Sequence, residues 1–274
     1  MTEPYTEFAK IALPGIIGVA GGYFLKRWDV RHQQEKYVSD TWTAQKRTHW
    51  SPLLRATGDL EARFTFLRDI YHQKPSMPFS PASLSADFRE LYMLSRAEIP
   101  NLQDVNPNAA RQNSDAVQRA RTRVCHELTF AESSVFITAA YLAHAEHVWR
   151  GLDEDLLEIA SAHRAHLVGL LSGVRQALQG KSGAGIFIEQ QEYIGQTLLL
   201  PSGGVVANLD FRKRLFDLPG WETFSNLLRF FAEFGPKVNY EITGTIQALG
   251  PLKHAVTLLR DASTKAKYET LLVE

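Results

Sequence analysis

The chain has 274 residues, and its thirty lysines and arginines are matched by thirty aspartates and glutamates, so the formal net charge is zero. That balance argues against nucleic acid as the main partner. A single cysteine, Cys125, excludes a disulfide framework and fits a reducing compartment.

The first element in chain order is an uncharged run over residues 11–25, IALPGIIGVAGGYFL, entered past Lys10 and closed by Lys26 and Arg27. A hydrocarbon core of about 30 Å takes about 20 apolar residues in a helix. The expected span therefore reaches back to Phe8, with Lys10 snorkelling to the headgroups. Tyr5 on one side and Tyr23 and Trp28 on the other fit an aromatic belt. Glu3, Glu7 and Lys10 leave no positive n-region, which sets the segment apart from a cleaved signal peptide. Lys26, Arg27, Arg31 and Lys36 follow the span and only Lys10 precedes it, so the positive-inside rule puts the C-terminal bulk in the cytoplasm. Within the span, Gly18 and Gly22 form a small-xxx-small pair that would let two helices pack closely in the bilayer.

The remainder reads as helix after helix. Residues 1–27 are expected to be the anchor, and 28–72 a juxtamembrane stalk and the first bundle helix. Residues 73–112 should be Pro- and Asn-rich loops around a short helix, and 113–274 a helical bundle domain. The stalk carries Trp28, Tyr37, Val38, Trp42 and Trp50 without regular spacing. Ser51-Pro52 then looks like an N-cap followed by proline at the first helical position. Leu53, Leu60, Phe64, Leu67 and Tyr71 follow as one apolar stripe.

Three prolines in QKPSMPFSP, residues 73–81, break the helix, and a short amphipathic segment over 87–96 comes next. Ser114-Asp115 is expected to cap a long helix running to Arg150, with Leu128, Val135, Leu142 and Trp149 repeating at seven. Gly151 ends it, Asp153 and Glu154 open the next helix towards Gly180, and so short a turn predicts an antiparallel helical hairpin. Residues 186–200 are read as helical and Pro201-Ser202-Gly203-Gly204 as a turn. Pro219-Gly220 precedes an aromatic face formed by Trp221, Phe224, Leu227, Leu228, Phe231 and Phe234. A last helix is expected to open at Pro251, after a segment over 238–249 read as helix or loop.

Four motifs carry chemistry worth weighing. Gly180-Lys181-Ser182 has the ending of a phosphate-binding loop, but Arg175 stands where that loop needs its first glycine, and a helix rather than a strand precedes it. A helix C-cap is the better reading. His144, His147, His163 and His166 form two i, i+3 pairs on facing helices, an arrangement that could supply imidazoles to zinc or iron. Their differing depths and the lack of a Glu-x-x-His spacing argue against a metal centre. Cys125 is next to His126, about 100° away around a helix, so the two do not form a nucleophile–base pair.

The fourth is Arg121-Thr122-Arg123-Val124-Cys125-His126, which spaces arginine and histidine by four residues. It resembles the Arg-x4-6-His motif of the HEPN family of helical ribonucleases. Over these six residues the resemblance implies two protomers pairing Arg121 and His126 across a scissile RNA phosphate. Histidine would move the 2′-hydroxyl proton and arginine would hold the phosphate charge. Arg27-x4-His32 shows the same spacing elsewhere in the chain.

The reading with the broadest support is a mainly α protein with a single N-terminal transmembrane helix and stalk followed by a cytoplasmic helical bundle. It is expected to be a non-enzymatic, self-associating interaction module or a signalling or stress effector. Its partners are the lipid bilayer, a second copy and a protein of unknown identity, and no cofactor is called for. The HEPN-like ribonuclease is the rival, and in it alone RNA becomes the partner.

Overall fold

The computed structural model describes residues 32–33, 36–37, 39–72, 80–97, 107–154, 157, 159, 161–181, 183–215 and 218–261. Among them the chain is mainly α, with one isolated antiparallel bridge, Leu199 to Val205, in place of any sheet. No helix among the described residues is long and apolar enough to cross a membrane. The span expected over residues 8–25, with Gly18 and Gly22, lies outside them.

Two compact units divide at Gln45, Met1–Gln45 and Lys46–Glu274. In the first, the described residues from 32 to 45 are helical. The second opens with a π-helical turn, Lys46–Trp50, that runs directly into α1, Ser51–Tyr71. Trp50 is fully buried, so it belongs to the core of this unit. The turn also changes the expected start of α1. Trp50, at the cap position, already has helical angles, φ −74° and ψ −45°, and no side chain caps the helix there. Pro52 is tolerated because it sits in the first turn.

Seven more helices follow: α2 (Pro81–Ala97), α3 (Pro107–Asp153), α4 (Ser161–Gln179), α5 (Ile188–Leu198), α6 (Asn208–Arg214), α7 (Leu218–Ala232) and α8 (Pro236–Asp261). The long α3 begins at Pro107, seven residues before the Ser114-Asp115 pair expected to cap it. It packs against α1, α2 and α5, while α8 lies between α1 and α4. Leu53, Leu60, Phe64 and Leu67 of α1 are all fully buried, as their helical spacing requires. Phe231 on α7 ties this stripe to α2, its ring 6.3 Å from Phe64 edge-on and stacked 4.9 Å from Phe88.

Two expectations need correcting. Residues 154–160 separate α3 from α4, a connection long enough to bury Leu157 and Ile159 along the way. α4 consequently packs chiefly on α8 and only lightly on α3, so the two are not the close helical hairpin that a short turn would have forced. Pro251 lies inside α8 and does not open it. Leu249, Leu252, Val256 and Leu259 are buried along one continuous stripe with Val238 and Ile242, and Pro251 itself faces solvent. Burial of that stripe outweighs the loss of one helical hydrogen bond.

Candidate functional site

An open groove of about 530 Å³ lies where the π-turn and α1 meet α3. Its floor is apolar, formed by Ala56 of α1 and Phe136, Ile137 and Ala140 of α3. Val205, Val206 and Ala207 close one side. They are held there by the tight turn after α5, in which Leu200 N–H donates to the Gly204 carbonyl (2.8 Å) and Val206 N–H to that of Leu198 (3.0 Å). The rim is polar, with Arg47, Ser51, Arg55 and Asp59. Arg47 and Arg55 are exposed, and neither has an ion-pair partner among the described residues, although Arg55 and Asp59 are spaced i, i+4 on α1. π-Helical turns are rare, and they recur at functional sites because they break the regular register of side chains. Here five residues hold both the buried Trp50 and the exposed Arg47.

His144 reaches the groove from α3, and behind it lie two further imidazoles, His49 and His147. The rings of His49 and His147 stack with centroids 4.3 Å apart and 16° between planes. His147 is in turn close enough to His144, i, i+3 on α3, to disfavour its charge. Burial, and then the neighbouring His147, push His49 and His144 each down to about 4. Burial and then Arg150 lower His147 as well. Near neutral pH His49 and His144 are therefore neutral. The Nδ1 atoms of His49 and His144 are buried without a hydrogen-bond partner among the described residues. Ser51, Asp59 and His144 share the groove, yet no hydrogen bond joins them into a nucleophile–base relay.

A second polar cluster is closed. Glu146 on α3 and Arg175 on α4, both nearly inaccessible, meet at 2.6 Å. Arg150 adds a contact to Glu146 at 3.0 Å, and Glu192 of α5 adds one to Arg175 at 2.9 Å. The Arg175 guanidinium also lies over the Trp149 ring, 4.4 Å from its centroid. Gln191 donates from Nε2 to the carbonyls of Arg175 and Ile186 at 2.9 and 2.7 Å. These partners occupy the charged groups and pin α3, α4 and α5 together, which makes the cluster a structural joint.

The expected site residues fall in different places. Arg121 and His126 both lie on α3, but their side chains, like that of Cys125, fall outside the described residues. His144 and His147 come together with His49, while on α4 His163 is half-buried and His166 exposed. Among the described residues no group of three or more His, Cys, Asp or Glu side chains is placed to hold a metal ion. Gly180 adopts φ +68° just past α4, and Lys181 N–H donates to Glu241 Oε1 at 3.0 Å. That is a helix C-cap with a carboxylate at its end, a setting opposed to phosphate.

Sequence reasoning missed Arg47, His49 and Arg55. The pair of arginines flanking Ser51-Pro52 was visible, but a π-turn has no periodic signature, and nothing in the pattern brings residues 205–207 opposite α1. Comparisons with known proteins add no identity: no family model, no curated protein and no solved structure matches this chain.

Proposed function

We propose that this protein is a membrane-tethered helical module that acts by association rather than turnover, with its bundle in the cytoplasm and a second copy as its partner. The uncharged run over 11–25, followed by Lys26, Arg27, Arg31 and Lys36, supports the tether and its orientation. The observation that carries the association is the outer side of α5 and the turn after it. Ile194 and Leu198 face the core, while Tyr193 is 53% exposed, Leu200 41% and, at the start of α6, Leu209 65%. Three large apolar side chains left in water within seventeen residues favour a covered interface. Gly18 and Gly22 would add a second contact inside the bilayer.

Sedimentation of the full chain in detergent tests this reading. The wild type should sediment as a dimer or larger species, and Tyr193→Glu with Leu209→Glu should shift it towards monomer. Gly18→Ile with Gly22→Ile should weaken the remaining association. A wild-type chain that stays monomeric at micromolar concentration in both detergent and nanodiscs removes the proposal.

A further inference from the structure

The groove beside the π-turn borrows Val205, Val206 and Ala207 from the turn after α5 but none of the exposed apolar residues proposed for self-association, and it carries its own signature. Arg47 and Arg55 stand exposed on its rim with no counter-charge bound to either among the described residues, while Phe136, Ile137 and Ala140 of α3 supply apolar lining to the same groove. We propose that this groove binds a small amphipathic carboxylate, its head held by Arg47 and Arg55 and its apolar body laid along α3.

Three features select that chemistry. A volume of about 530 Å³ suits a small molecule, and an apolar lining with a few convergent polar groups is the usual composition of such sites. Guanidinium groups pair with carboxylates through two parallel N–H···O bonds, so two unpaired arginines on one rim are a ready anion clamp. The charge count then separates a monoanion from a dianion. Two arginines and Asp59 leave one net positive charge on the rim, and the neutral His144 adds none. A carboxylate balances that charge, whereas a phosphate monoester would leave an excess negative charge facing Asp59.

The test is calorimetric titration of the full chain with 4-phenylbutyrate, alongside its uncharged amide and its cationic amine analogue, 4-phenylbutylamine. The carboxylate should bind with a dissociation constant of about 0.1–1 mM, in keeping with a ligand of this size. The amide should bind about tenfold more weakly and the amine not at all. Arg47→Gln with Arg55→Gln, both at exposed positions, should weaken the carboxylate about tenfold and leave the melting temperature and the sedimentation behaviour unchanged. Ala140→Phe, which fills the floor, should abolish binding of both the carboxylate and the amide. No binding of 4-phenylbutyrate at 5 mM, equal affinity for carboxylate and amide, or an unchanged affinity in the arginine double variant would each overturn the proposal. Failure here leaves the self-association reading standing, because that rests on other residues and another measurement.

Discussion

His49 and His147 stack face to face, 4.3 Å between ring centroids, although one lies on the π-turn before α1 and the other on α3. The contact packs two imidazoles against each other with His144 close behind, an arrangement that favours the neutral rings over the charged ones. Each proton added would bring a cation next to other imidazoles and Arg150.

The first prediction is a pH dependence of stability with a definite sign. His49 and His144 have folded values of about 4, below the ordinary histidine value of 6.5, so between those limits the unfolded chain binds more protons. Stability should be flat above about pH 7 and fall as pH drops from 6.5 towards 4. Both rings retain some solvent contact, which screens the effect and keeps the total loss near 1–2 kcal/mol by pH 5. Urea titrations at pH 7 and pH 5 check this. His49→Asn with His144→Asn should flatten the difference, and an identical slope in that variant would exclude these rings as its source.

Removing one side of the buried joint should cost far more than removing both. Arg175→Met leaves the buried Glu146 with the half-exposed Arg150 as its remaining ion-pair partner and one hydrogen bond from Gln196 Nε2, and such undercompensated burial costs about 3–5 kcal/mol. Glu146→Leu combined with Arg175→Met should recover most of that loss, because neither charge then remains to be desolvated. Chemical denaturation of the two single variants and the double variant supplies the cycle. Additive losses would mean that the two side chains act independently.

Glycines with the same backbone angle should respond differently to the same substitution. Gly180 has φ +68° and Gly183 φ +76°, so alanine at either adopts a left-handed conformation costing about 1–2 kcal/mol. At Gly183 nothing lies within 4 Å of an added methyl, whereas at Gly180 it would overlap the Glu241 carboxyl group. Gly180→Ala should therefore lose at least about 1 kcal/mol more than Gly183→Ala. Equal losses would show that the carboxylate moves aside freely.

Helices with one strongly apolar face were legible before the fold was known. Leu53, Leu60, Phe64 and Leu67 announce α1 because burial is periodic, and Phe224, Leu227, Leu228 and Phe231 announce α7 for the same reason. The groove was not legible. It is assembled from a π-turn, a helix face and the residues after a Gly203 turn, three segments whose proximity no local pattern encodes. Gly203 itself was readable as a turn residue, but not the second demand on it: a methyl there would approach His147 Nε2 to 2.9 Å. The His144–His147 spacing was equally plain, while its partner, His49, was hidden in a stretch read as solvated stalk.

Pro251 supplies the sharpest contrast between pattern and fold. As the opening residue of a helix, proline is favourable and its replacement by alanine gains little. As residue 16 of the 26-residue α8, it withholds the N–H that would donate to the Gln247 carbonyl, and its ring crowds that carbonyl. It is solvent-exposed, so alanine leaves no cavity, and Leu249 and Leu252 on either side keep their buried positions. Pro251→Ala should therefore raise stability by about 1–3 kcal/mol, the lower end applying where the proline has already been accommodated by a bend. The unfolded chain gains freedom in the same substitution, which takes back part of the increase. Urea denaturation and amide exchange at residues 251–255 read the two consequences separately, as a higher midpoint and as new protection in the middle of α8. An unchanged or lower midpoint would return Pro251 to the start of a separate helix.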